Sequence, residues 1–226
     1  VTAQPLPTLL TNLHNAAAAA GRPDPVLLAV SKTQPAEAVQ ALAAQGQRAF
    51  GENYVQEAVA KIEALAALGL EWHLIGHLQS NKADLAARHF DWVQSVDRLK
   101  LVTALATHRP AGQPPLNVLI QVNIDDEDSK HGCAPEDIPP LAAAIAAAPQ
   151  LRLRGLMAIP APWPDAERRQ AAFTRMGALF ATLAATYPHV DTLSMGMSSD
   201  YPEAIAHGAT LVRIGTALFG ARPRPA

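Results

Sequence analysis

The chain has 226 residues, 49% of them apolar and mostly Ala and Leu, which suits a soluble globular protein with a large core. Its formal charge of -2 argues against nonspecific nucleic-acid binding driven by phosphate attraction, though a local site for one small anion is compatible with it. The single cysteine, Cys133, excludes an intrachain disulfide and a CxxC metal signature, as expected in a reducing compartment.

In chain order, residues 8–20 are Ala-rich and helical by propensity, ending at Gly21. Asp24-Pro25 introduces a strand, Val26–Val30, and residues 35–44 read as a helix opened by proline and stopped by Gly46. A short strand at 48–50 runs into Gly51-Glu52-Asn53, followed by a helix at 54–68, a strand at 72–75 and a short helix at 82–88. A strand at 92–95 and a helix at 98–107 come next. Leu116–Val122, LNVLIQV, is the clearest core strand, because aliphatic residues dominate both faces. After the polar loop 123–132 come a helix at 135–148, a strand at 153–159 and a long helix, Ala166–Thr186. A strand at 192–195, a helix at 202–207 and the strand Leu211–Ile214 complete the series.

Eight strands alternating with helices after one leading helix imply parallel pairing with right-handed crossovers. A doubly wound open sheet would want a glycine-rich turn after its first strand, and SKTQPAE has no glycine. The expected fold is therefore α/β: a single (β/α)8 TIM barrel with an extra N-terminal helix, residues 1–226 forming one domain. The N-terminus lacks the basic start and apolar core of a signal peptide, and no run has membrane-spanning character. A cytoplasmic location with no membrane partner is expected.

Barrel chemistry gathers where strands end, and the polar residues of this chain fall there. Lys32 follows the first strand, Glu52 and Asn53 the second, and His77, Gln79 and Asn81 the third. Ser95 and Asp97 follow the fourth, Asn123, Asp125, Glu127 and Lys130 the fifth. Ser194, Ser198, Ser199 and Asp200 follow the seventh, and Arg213, Gly215 and Thr216 the eighth. The opposite loops are mostly turns of Ala, Gly and Pro.

With thirteen arginines and only five lysines, a lysine at a strand end stands out. Lys32 has two readings. It can snorkel to the rim with its ammonium in water, or it can be a desolvated amine suited to a Schiff base with an aldehyde. The segments SMGMSSD (194–200) and RIGTALFG (213–220) supply hydroxyls and flexible backbone at the usual phosphate position of a barrel. Taken alone, the serines serve equally as helix caps. His73 and His77 read as a strand leading into a loop rather than a metal pair, and DDED (125–128) as a solvated loop, so no metal is expected. No nucleophile elbow, Walker loop or dinucleotide fingerprint is present.

The segments AVSKTQP, FGENYVQE, WHLIGHLQSNK, QVNIDDEDSKHG, GLMAIP and LSMGMSSDYPEAIAHGATLVRIGTALFG together resemble the pyridoxal-phosphate homeostasis proteins, also called the proline synthetase co-transcribed family, over nearly the whole chain. The resemblance implies an alanine-racemase-like barrel that holds pyridoxal 5'-phosphate (PLP), with Lys32 as the Schiff-base lysine. It implies that Arg213 faces the pyridine nitrogen and that Gly215, Thr216 and Ser198 or Ser199 bind the phosphate. Asn53 would lie beside the ring or its lysine, and Met157, Ser194 and Met195 would complete the pocket wall. Lys130 matches another family lysine with no assigned role.

An always-charged guanidinium at the pyridine nitrogen keeps that nitrogen unprotonated, which makes PLP a poor electron sink. The chain also ends soon after the last barrel motif, without the second domain that gives related racemases a tyrosine base; Tyr187 and Tyr201 are no evident substitute. Reversible PLP binding in vitamin B6 homeostasis, with possible delivery to apo PLP-dependent enzymes and no catalytic residue, is the expectation. A small PLP-dependent amino-acid racemase is the alternative. A monomer is expected.

Overall fold

The computed structural model describes residues 3–127 and 131–220. Eight parallel strands close in sequential order into a barrel: β1 (Val26–Val30), β2 (Ala49–Glu52), β3 (Glu71–Leu74), β4 (Trp92–Val96), β5 (Leu116–Val122), β6 (Leu151–Ala158), β7 (Thr192–Ser194) and β8 (Leu211–Ile214). Closure joins the first strand to the last, from Val26 opposite Leu211 to Ala29 opposite Ile214. Residues 32 and 215, more than 180 positions apart in sequence, therefore emerge side by side at the C-terminal ends of neighbouring strands.

The crossover helices are α2 (Ala36–Ala44), α3 (Val55–Ala64), α4 (Ala83–His89), α5 (Leu99–His108), α6 (Ile138–Ala146), α7 (Ala166–Thr186) and α8 (Tyr201–Ala206). The leading helix α1 (Leu6–Ala19) buries Leu6, Leu9, Leu13 and Ala17, one helical stripe, and packs on α8 and on the short α9 (Thr216–Phe219). The N-terminal helix thus braces the turn that follows β8.

Local chemistry accounts for the departures from the predicted boundaries. The predicted helix at 135–148 divides into a 3-10 turn, Pro135–Asp137, and α6, because Pro139 and Pro140 lack amide hydrogens and fit only a helix's first turn. The predicted helix at 54–68 ends as α3 at Ala64, with Ala66–Leu68 tightening into a 3-10 turn. The predicted strand at 48–50 extends to Glu52, so this glutamate lies inside β2 and fully buried rather than in the loop beyond it. Among the described residues, no helix is long and apolar enough to cross a membrane.

The barrel interior holds a hydrogen-bonded polar column as well as hydrocarbon. Arg213 Nη1 donates to Ser194 Oγ (2.8 Å), whose hydroxyl donates to Gln94 Oε1 (2.6 Å). Gln94 Nε2 then donates to His73 Nδ1 (2.9 Å), which leaves His73 Nε2–H to donate to Glu71 Oε1 (2.8 Å). Burial holds His73 below the ordinary histidine range, in keeping with this neutral tautomer. Trp92 stacks on the His73 ring, and Arg154 covers Trp92 from outside while pairing with Asp191.

Cys133 is buried beside β5, and burial pushes its thiol up to about 12. In the native protein it should resist alkylation at pH 8 and react at the rate of a free thiol once urea unfolds the chain; comparable rates in both states would contradict this burial.

Candidate functional site

At the C-terminal mouth of the barrel a cavity of about 360 Å³ opens between the ends of β1, β2, β3, β6, β7 and β8. Lys32, Asn53, Ser198, Ser199, Arg213, Gly215 and Thr216 line it, together with Val30, Gln34, Ile75, Ile159, Met197, Phe219 and Gly220. Its chemistry divides in two: aliphatic, thioether and phenyl surface for a flat apolar body, and two cations with three hydroxyls for an anionic or carbonyl group.

Lys32 is half-buried and stands between two anchored neighbours. The amide of Ser31 donates to the Gly51 carbonyl (2.9 Å), and its hydroxyl donates to Glu52 Oε1 (2.6 Å). On the other side the amide of Thr33 donates to Glu57 Oε1 (2.7 Å), while Thr33 holds φ at 64°, a left-handed conformation that is unfavourable for a β-branched residue. One ammonium joins both anchors: Lys61 Nζ donates to Ser31 O (2.8 Å), Glu52 Oε1 (2.8 Å) and Glu57 Oε1 (2.9 Å). Its three hydrogens are all used. Burial raises the Glu52 carboxyl above its ordinary range against the pull of Lys61 and Ser31, and Glu52 Oε2 has no hydrogen-bond partner among the described residues.

Arg213 is held from below. Besides Ser194, it donates from Nη2 to the carbonyl of Ala158 (2.8 Å), the last residue of β6. Burial lowers its guanidinium to about 10, which leaves it cationic at neutral pH. Beyond β8 the chain turns at Gly215, where a Cβ would crowd the Val30 carbonyl at 3.2 Å. Glycine here lets the turn into α9 lie close against the end of β1. Ser198 and Ser199 stand in the turn before α8, shaped by Asp200 Oδ1 accepting the Met197 amide (2.6 Å).

The sequence-predicted residues are thus brought together with three exceptions. Met157 and Met195 are fully buried and do not line the cavity, and Ser194 reaches it only through Arg213. The chain turns at Gly196, so the methionine facing the cavity is Met197. Lys130 lies outside the described residues. The residue missed by sequence reasoning is Lys61. Its signal was present: Val55, Ala58 and Lys61 share one buried stripe of α3, and a lysine continuing an apolar stripe must find a buried partner.

The barrel is of the class of the alanine-racemase N-terminal domain. The family model "Alanine racemase, N-terminal domain" matches residues 6–223. The pyridoxal phosphate homeostasis protein of Escherichia coli strain K12 is 58% identical over 199 residues, covering 87% of this chain and 85% of that protein. Its namesake from Pseudomonas aeruginosa PAO1 is 56% identical over 223 residues, covering 97% and 95%. The structure of PipY of Synechococcus elongatus PCC7942 without PLP superposes with a TM-score of 0.85 at 40% identity, covering 95% of this chain and 98% of that one. With PLP bound, PipY gives 0.78 at 39% identity, covering 92% and 100%. The chain belongs to the pyridoxal phosphate homeostasis protein family.

Removing the Lys61 side chain should be costly, because it strands Glu52 and Glu57. Lys61→Met is expected to lose about 3 kcal/mol in urea unfolding, and adding Glu52→Leu to recover part of that loss. Equal stability of Lys61→Met and the unmodified protein would show that the buried pair is dispensable.

Proposed function

We propose that this protein binds PLP reversibly through a Schiff base between its aldehyde and Lys32, as part of intracellular vitamin B6 homeostasis. Residues 1–226 would act as one binding domain, and the released cofactor would pass to apo PLP-dependent enzymes. The observation that carries this reading is the convergence of Lys32 and Arg213 on one cavity with the hydroxyls of Ser198, Ser199 and Thr216.

The residues present fit the group. An aldehyde needs an amine nucleophile within reach, and the Ser31–Lys61–Glu57–Thr33 network fixes the backbone on both sides of Lys32 so that its amine is aimed into the cavity. A phosphate dianion needs hydroxyl and amide donors, which the turns at 198–199 and 215–216 present. A flat aromatic ring needs apolar walls, offered by Val30, Ile75, Ile159, Met197 and Phe219. Arg213, fixed by Ser194 and Ala158, can donate to a ring nitrogen but does not surrender its own proton near neutrality. When bound, PLP would supply an electrophilic carbonyl to the Lys32 amine, and Arg213, Ser198, Ser199 and Thr216 would hold its ring and phosphate.

The lining residues also support retention over turnover. Among the described residues that line the cavity, none is a tyrosine, histidine, cysteine or carboxylate that could exchange a proton with a substrate opposite Lys32. A cationic Arg213 at the ring nitrogen further weakens the ring as an electron sink. We place the protein in the cytoplasm and expect a monomer.

Borohydride reduction of the PLP-loaded protein should fix one phosphopyridoxyl group on Lys32 by mass mapping. Lys32→Ala should lose both this adduct and the visible absorbance of the bound cofactor. The same adduct in the variant would move the Schiff base to another lysine, and sustained racemisation of L-alanine by the holo-protein would overturn the non-catalytic reading. Thr216→Val removes one hydroxyl facing the proposed phosphate and roughly keeps the shape, so PLP retention measured by equilibrium dialysis should weaken roughly tenfold with the fold intact. Unchanged affinity would remove that side chain from the phosphate site.

A further inference from the structure

A second constellation lies on the loops that follow β3, β4 and β5. One ligand atom from each of His77, Asp97 and His131 lies within 4.8 Å of the other two. The two imidazoles stack with centroids 3.7 Å apart and planes at 15°, and both are exposed, while Asp97 is half-buried. Neither the family fold nor the cavity explains why two solvent-exposed histidines from separate loops meet over a carboxylate.

One small network ties Asp97 to the backbone beside each imidazole. Asp97 Oδ2 accepts the amide of Gly132 (3.3 Å), which fixes the backbone beside His131. Arg98 donates from Nη1 to Asp97 Oδ1 (2.7 Å) and from Nη2 to the carbonyl of Leu78 (2.8 Å), the residue after His77. The backbone on either side of the cluster is therefore tied to the carboxylate between them. Carboxylates that ligate metals are commonly hydrogen-bonded in this way. Arg98 is the one cation among these contacts, and it is matched by Asp97, whose oxygens retain lone pairs beyond the two bonds.

We propose that His77, Asp97 and His131 bind one divalent transition-metal ion of the zinc type at the rim of the barrel mouth. Two imidazole nitrogens and one carboxylate oxygen suit such an ion, whereas calcium and magnesium take oxygen ligands. Three protein ligands leave at least one position for water. Bonds of about 2.0–2.2 Å require the ligand atoms to draw together and the two stacked rings to tilt apart, so that one nitrogen of each points at the ion in its own ring plane. Both imidazoles are exposed and neither belongs to the core, so the rings can turn at the surface while Asp97 stays bonded to Arg98 and Gly132. The ion would tie the β3 loop to the β5 loop. It would also sit close to the wall of the cavity: Ile75 lines that cavity two residues before His77, and Gly76 lies so near Asn53 that a Cβ would run into the Asn53 carbonyl oxygen. The proposal does not rest on the cofactor reading.

The test uses the full chain without an affinity tag, stripped with EDTA and free of PLP. Calorimetric titration with Zn2+ should show saturable one-to-one binding. Binding should weaken at least tenfold in His77→Ala and in His131→Ala. It should stay unchanged in His189→Ala, which removes an exposed histidine elsewhere. His77→Cys cannot stack but can coordinate, so it should bind Co2+ with a thiolate charge-transfer band absent from His77→Ala. No saturable Zn2+ binding by the unmodified chain would overturn the proposal. Equal affinity in the His77→Ala/His131→Ala double variant would do the same.

Discussion

The ammonium of Lys61 is the constraint on which the cavity depends. It lies on the buried face of α3 and reaches the end of β1 through Ser31, the end of β2 through Glu52, and its own helix through Glu57. A buried cation is tolerated only when its hydrogens are all satisfied, so these three elements can adopt few other relative positions. Lys32 inherits that rigidity, because Ser31 and Thr33 on either side of it are bound to the same network. The left-handed backbone at Thr33 is the local strain that this network supports.

Closure of the barrel provides the second half of the site. Pairing of β1 with β8 sets the turn at 215–216 beside Lys32, and Gly215 permits the close approach. Arg213 arrives from inside the barrel rather than from the rim. Its lower partner Ser194 belongs to a column through Gln94 and His73 to Glu71, and among the described residues no carboxylate pairs with the buried guanidinium. Neutral dipoles and a backbone carbonyl hold it. The cavity consequently has a basic side chain from each side of the closure, Lys32 after β1 and Arg213 on β8.

Reading the sequence located the strand ends well, because alternating strands and helices with polar residues after each strand follow directly from barrel geometry. Lys32, Asn53, Ser198, Ser199, Arg213, Gly215 and Thr216 were legible for that reason, and all line the cavity. Met157 and Met195 were not separable from Met197, since which of neighbouring apolar residues faces a cavity depends on where the chain turns. Histidines illustrate the same limit. His73 and His77 are close in sequence, yet His73 is sealed inside the barrel and His77 stands on the rim beside His131, more than fifty positions away.

By itself, the sequence determined the fold class and the short list of polar groups at the barrel mouth. Period, turn residues and the position of a lysine after an aliphatic run are local properties, and local properties survive in one dimension. Tertiary structure decided which polar groups are partnered. Lys61 became the anchor of Lys32, and Glu52 moved from loop to core. His77, Asp97 and His131 became a cluster. Each of these depends on helices and loops from different βα units meeting in space, and burial of a charge specifies only that a partner must exist, not which residue supplies it.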